Sequence, residues 1–321
     1  MSLMSAKNRK KKNDLILFPV LLVLLVIVFQ ILTSGKFLVA SNMVALLSHA
    51  VIPTFIVWGM CFIFTAGVMD LSIGAIVILA SNAGGLLALK YGYVGLILGS
   101  VVTAVVLELI NLVLCTRTKI PSWVIGLGMA MVYEAIGALY SVSQIRQGLQ
   151  VVTLGTQCRS LGMFPISIFI WIAGGLVAWM LFNRSSVGIN VRAVGGNAQV
   201  AGMMGVVPRR AVITGGIVGG VFFGIAAAIN ESYAGRVMPV TGLSSIAIVF
   251  TPLAVLLLAQ AFEKIVSLPL GVMLSAILFF ALYNVLTIMG VPSGTWQDVV
   301  LGASIVVFGI FSQRNSKGVV K

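Results

Sequence analysis

From Leu15 to Phe29 the chain reads LILFPVLLVLLVIVF, and runs of similar length and apolarity return until residue 313. No other feature limits the fold as sharply. A soluble domain hides its apolar side chains in one interior and carries roughly 25% charged residues. Here 60% of 321 residues are hydrophobic and 8% are charged, more apolar surface than one core can absorb. Lipid is the solvent such a chain requires, and in lipid every backbone polar group must be bonded within the protein. The runs are continuous rather than alternating in short segments, which selects helices over a barrel. The expectation is an all-α polytopic membrane protein.

A hydrocarbon layer about 30 Å thick takes roughly 20 helical residues. About ten transmembrane helices fit: residues 14–33, 43–66, 71–89, 93–115, 122–142, 166–183, 211–230, 244–262, 266–289 and 297–313. Gly84-Gly85 and Tyr91-Gly92 are read as closing the third. Pro121, Pro165 and Pro269 stand at or before helix starts, where a missing N–H costs nothing. The domain plan is a basic tail at 1–13, one transmembrane domain at 14–313 and a second tail at 314–321. No small-residue cleavage site follows the first run, so it is read as a retained helix.

The formal net charge of +13 raises nucleic acid as a partner, but the distribution excludes it. Five basic residues cluster at Lys7, Arg9, Lys10, Lys11 and Lys12, directly before the first apolar run, and most others sit between runs. With both termini cytoplasmic, fifteen basic residues fall inside and five outside, the bias expected of cytoplasmic loops. Cys61, Cys115 and Cys158 have no metal-ligand spacing and His49 is the single histidine, so neither a metal site nor a disulfide framework is implied. The chain contains no GxxxxGK[ST], HExxH or GxSxG. It has no phosphate-cradling loop of its own, and nothing marks it as an enzyme.

With only seven acidic residues available, an aspartate in the apolar context GVMDLSIG, residues 67–74, needs a reason. Asp70, with Ser72 beside it, is placed to cap the following helix by accepting free N–H groups at its positive end; direct contact with a polar solute is the other role open to it. Glu108 with Asn111, and Tyr133 with Glu134, also lie within apparent spans. Groups of this kind face protein or water rather than lipid, so each pair either joins helices or lines a polar path. Trp123 is a candidate for the same path or an anchor at the membrane interface. Asn230-Glu231 closes the seventh span as a solvated cap. A faint echo links DLSIGAIV, 70–77, to GLSSIAIV, 242–249. The two precede spans of opposite direction, as an inverted repeat would.

The connection RSSVGINVRAVGGNAQVAGMMGVVPRR, 184–210, is the most informative part of the chain. Gly195-Gly196-Asn197 reads as a turn, followed by two helical turns over 198–205 that end before Pro208. Ala198, Ala201, Gly202 and Gly205 then share one small-residue face, against which either the protein's own backbone or a partner's can pack.

These residues carry a resemblance. AVGGNAQVAGMMGV is similar to the cytoplasmic coupling loop of ABC-importer permeases, above all the ribose and simple-sugar branch of the branched-chain-amino-acid and monosaccharide permease superfamily, with its A-x-G-G-N and E-A-A-x-x-x-G. AGVMDLSIGAIVILAS and TKIPSWVIGLGMAMVYEAIGALYS resemble two further blocks of that branch, in matching order, over residues 50–245 or so. Gln199 and Val200 depart from the E-A of E-A-A, and Phe250-Thr251-Pro252 stands where glycines are expected. The resemblance implies the transmembrane subunit of an ATP-driven importer of a monosaccharide, in a bacterial cytoplasmic membrane, working by alternating access. ABC ATPase subunits would hold ATP and Mg, this chain binding no cofactor. An extracytoplasmic solute-binding protein and a second permease copy or paralogue would complete the assembly. Gly195, Gly196, Asn197, Ala198, Gln199, Ala201, Gly202 and Gly205 would carry the coupling; Asp70, Ser72, Glu108, Asn111, Trp123, Tyr133 and Glu134 are candidates for the translocation path. An ion-coupled secondary transporter of a small polar solute is the alternative.

Overall fold

The computed structural model describes residues 19–20, 22–146, 153–263, 265–291 and 294–315. The N-terminal basic cluster, the start of the first span, Lys264 and the end of the C-terminal tail lie outside them. Among the described residues the chain is all helix, turn and irregular backbone, with no strand. In order come α1 (Leu22–Leu32), α2 (Ala40–Thr65), α3 (Ile73–Arg117), α4 (Ser122–Arg146), α5 (Ile166–Asn183), α6 (Ser186–Gly196), α7 (Ala198–Met203), α8 (Pro208–Ala234), α9 (Ala247–Ala261), α10 (Leu268–Ile288) and α11 (Thr295–Asn315). Seven segments are long and apolar enough to cross a membrane, and two shorter apolar helices lie over Leu22–Leu32 and Trp296–Ser312. The chain is a multi-pass membrane protein.

α3 has 45 residues and would measure about 68 Å if straight, roughly twice the hydrocarbon layer. It is not straight. At Gly92 the backbone leaves helical geometry (φ 59°, ψ −139°), a conformation that favours glycine. The two limbs, 73–91 and 93–117, fold back on each other: a Cβ on Gly84 would stand 2.7 Å from the carbonyl oxygen of Leu96, and one on Gly99 3.1 Å from Gly84 Cα. The segments expected at 71–89 and 93–115 fall on these limbs. Gly84-Gly85 does not end the third span; the helix runs through it, and the pair serves close packing instead.

α2 and α8 form the centre. α8 is glycine-rich, and its glycines lie where backbones meet: a Cβ on Gly220 would come within 2.9 Å of Val105 Cα. Small residues let helices approach when lipid supplies no hydrophobic drive between them. On the other side Phe55, Trp58, Phe62, Phe182 and Phe222 pack together, with Phe55 and Trp58 edge to face at 4.9 Å. Trp58 Nε1 donates to the carbonyl of Pro269 at 3.0 Å, so the buried indole is satisfied. Outward, Leu98, Val102, Val106 and Ile110 form an exposed stripe at a spacing of four. An apolar stripe on the outer face is the reverse of a soluble helix.

The connection between α5 and α8 holds more helix than expected. Ser185 caps α6 by accepting from Gly188 N, a helix not read from the sequence. Gly195 and Gly196 form its last turn and not a positive-φ turn. α7 ends at Met203. Gly205 lies beyond it at φ 87°, and Val206 N donates to Ala201 O at 3.0 Å to close the helix. Pro208 does not stop α7; it stands in the first turn of α8.

Candidate functional site

Between α8 and α9 the chain runs without helix from Gly235 to Leu243, then makes one 3-10 turn over Ser244–Ile246. This irregular stretch is partly covered by the bundle: Gly235 and Val237 are buried, while Arg236, Met238, Thr241 and Gly242 are exposed. Pro239 packs on Gly137 of α4, and two carboxylates meet its backbone. Glu231 accepts from Val237 N at 3.1 Å. Glu134 accepts from Leu243 N and Ser245 N, both at 2.8 Å. Non-helical backbone persists at membrane depth only where protein satisfies it. Glu231 is buried, which corrects the expectation of a solvated cap.

The start of α3 is built on the same principle. Asp70 Oδ1 accepts from Ser72 N at 2.7 Å, so it bonds the residue before the helix rather than a first-turn N–H. Asn111, on the returning limb of α3, donates to Asp70 Oδ2 at 2.7 Å and to Ser72 Oγ at 2.5 Å. Tyr133 donates to Asn111 Oδ1 at 2.8 Å and to Leu107 O at 2.9 Å. Asp70, Ser72, Glu108, Asn111 and Tyr133 are all buried. Glu108 lies within hydrogen-bonding reach of the Asp70 carboxyl, and among the described residues no other group engages its oxygens. A Cβ on Gly126 would stand 2.7 Å from Asp70 Oδ1 and 2.6 Å from Leu71 N, so α4 must carry glycine to admit the network.

The two echo segments touch. Gly74 packs directly on the carbonyl of Ser245. The first segment supplies its own carboxyl, Asp70; the second has Gly242 at that place and receives Glu134 from α4. Residues 67–74 and 242–245, together with α4, thus form one crossing of two helix starts. Beside it lies a pocket of about 10 Å³ lined by Tyr133, Glu134, Gly137, Pro239 and Val240, room for about one water. Six of the seven candidate path residues meet at this crossing. Trp123 does not: it stands half exposed in the first turn of α4. Gly126, Gly74 and Gly137 went unremarked in the sequence, where a glycine in a span carries no sign of what approaches it.

The connection 184–210 has an inner and an outer side. Gly195 packs against the carbonyl of Thr65 at the end of α2. Asn197 Oδ1 accepts from Gln199 N and Val200 N, both at 3.0 Å, capping α7. Ala201 is buried against Val194 and Ala211, so it belongs to the inner side. Gly196, Ala198, Gln199, Gly202 and Gly205 remain exposed. Met203 and Met204, 84% and 80% exposed, dominate the outer side. Their prominence was not read from the small-residue pattern, since it follows from how α7 rolls onto Ala211.

The family described as branched-chain amino acid transport system / permease component matches residues 42–309. A fructose import permease protein of Rhizobium meliloti is 26% identical over 70% of this chain and 65% of its own length. A D-allose transport system permease protein of Escherichia coli is 24% identical over 70% of this chain and 69% of its own. A ribose import permease protein of Bacillus subtilis is 28% identical over 92% of this chain and 91% of its own. No solved structure gives a significant match.

Proposed function

This chain belongs to the family of branched-chain amino acid transport system permease components, and from that premise we propose that it is the transmembrane subunit of an ATP-driven importer of a monosaccharide. The relatives' sugar names carry the substrate class, the ribose permease along nearly the whole chain. ATP and Mg belong to separate ATPase subunits in this reading, and an extracytoplasmic binding protein delivers the sugar. A second copy or a paralogue completes the path.

The two limbs of α3, with α1, α11 and the remaining long helices, make ten crossings. An even number leaves both termini on one side, and the inward bias of basic residues makes that side cytoplasmic. α6 and α7 then project into the cytoplasm. The exposed side of α7 and its C-cap, Gln199, Gly202, Met203 and Met204, receives the ATPase, and the inner side of the two helices, through Gly195 of α6 on Thr65 and Ala201 of α7 on Ala211, passes motion to α2 and α8. Asp70, Ser72, Glu108, Asn111, Tyr133 and Glu134 form the closed section of the path, and Trp123 serves as an interface anchor. Nucleotide binding switches access by shifting two states of nearly equal free energy. The test is uptake of labelled sugars by proteoliposomes holding this chain with its ATPase and binding protein. Uptake is expected only with ATP; uptake that persists without ATP and follows an ion gradient refutes the importer.

A further inference from the structure

At the end of the bundle opposite α6 and α7, a cavity of about 290 Å³ opens between α2, the last turn of α8, α9 and α10. Ser48, His49, Tyr233, Thr251, Phe280 and Tyr283 line it, with apolar side chains below. Among the described residues, no hydrogen bond engages the side chains of Ser48, His49, Tyr233 or Thr251. The His49 and Tyr233 rings stand edge to face with centroids 6.3 Å apart. Tyr283 donates to Gln297 O at 3.2 Å, which leaves its oxygen free to accept.

This contrasts with the crossing at Asp70 and Glu134, where most polar atoms are bonded to protein. It contrasts too with the groove of about 620 Å³ lined by Phe64, Val68, Leu253, Leu257 and Ile305, a surface suited to acyl chains. His49 and Tyr233 are exposed and Ser48 and Thr251 half-buried, so their polar atoms are within reach of a molecule that enters the cavity. A ring of such side chains around one cavity, mixed with aromatic faces, matches small-molecule sites, which span about 300–1,000 Å³ and pair apolar walls with a few polar groups. The size is at the bottom of that range and admits one small molecule.

We propose that this cavity is an outer binding subsite for the transported monosaccharide. The sugar's C–H face rests on Phe280 and Tyr233, and its hydroxyls exchange hydrogen bonds with Ser48, His49 and Thr251. The assignment rests on the importer reading, which supplies the sugar as occupant and the orientation.

In the reconstituted complex, His49→Ala and Thr251→Val are each expected to raise the KM for the imported sugar tenfold or more, with recovery of the assembled complex unchanged. Wild-type KM values in both variants overturn the subsite. A wild-type complex that imports no sugar counts against the importer reading alone. The cavity is then judged by Ser48→Cys in a chain whose native cysteines are replaced by serine. Labelling by a charged, water-soluble methanethiosulfonate, slowed by ribose, fructose or galactose, upholds the subsite. Labelling that none of these sugars slows overturns it. So does labelling only by N-phenylmaleimide, which marks a lipid occupant, and so does a disulfide between two copies, which marks the cavity as a subunit interface.

Discussion

Asn111 touches three polar neighbours from one side chain. Its amide nitrogen serves Asp70 and Ser72, and its oxygen accepts from Tyr133. A buried acceptor left without its donor costs about 1–3 kcal/mol. Asn111→Leu strips a donor from a buried carboxyl oxygen and from a buried hydroxyl at once, so a loss of about 3 kcal/mol is expected. Tyr133→Phe leaves one buried acceptor, Asn111 Oδ1, without its donor, at about 1 kcal/mol. Thermal unfolding in detergent ranks the two; equal melting temperatures would mean that Asp70 is held by something else. The sequence marked these residues as unusual for a span, and that much was legible from apolar context alone. Their pairing was not. Asn111 and Ser72 are joined only because the chain reverses at Gly92, and nothing near either residue encodes that.

At the scale of the element, α9 is entered through a 3-10 turn that packs on α4 and on the start of α3, with Ser245 buried between them. The N–H groups of Leu243 and Ser245 in that turn, free donors of the kind every helix start presents, are met from another helix by Glu134. Glu134→Gln keeps one acceptor oxygen and is expected to be less stable than wild type; Glu134→Ala keeps none and should be the least stable of the three. Melting temperatures in that order are the expected result, and an unaffected Glu134→Ala would remove the carboxylate from any role at the crossing. α7 gives the converse case. Met204 is exposed and packs on little, so Met204→Asp should change stability by less than about 0.5 kcal/mol while sharply lowering co-purification of the ATPase. Full recovery of the complex with Met204→Asp would exclude this face as the docking surface. Gly205 is a poor site for that test, because φ 87° strains any L-residue there and the loop itself would shift.

For the molecule as a whole, the arrangement of crossings decides which surfaces share a compartment. The limb 73–91 is about 28 Å long, enough to cross. Tyr91, more than half exposed beside the reversal, should then face the opposite compartment from Met204. In spheroplasts and inverted vesicles, Tyr91→Cys and Met204→Cys are expected to react with an impermeant thiol reagent from opposite sides. Reaction from the same side would show that the first limb of α3 does not cross.

The helical, membrane-embedded character and the approximate places of the helices followed from the sequence, because hydropathy and backbone hydrogen bonding in lipid depend only on local composition. At 184–210 the short helix after Asn197 was legible, since a cap acts over a few residues, whereas α6 and the places of Gly195, Gly196 and Pro208 were not. The buried glutamate at 231, the glycines at 74 and 126, and the ring of polar and aromatic side chains around His49 were decided only by tertiary structure. Each depends on which distant backbone or side chain arrives beside it, and in a chain this apolar many positions look alike until the helices are packed.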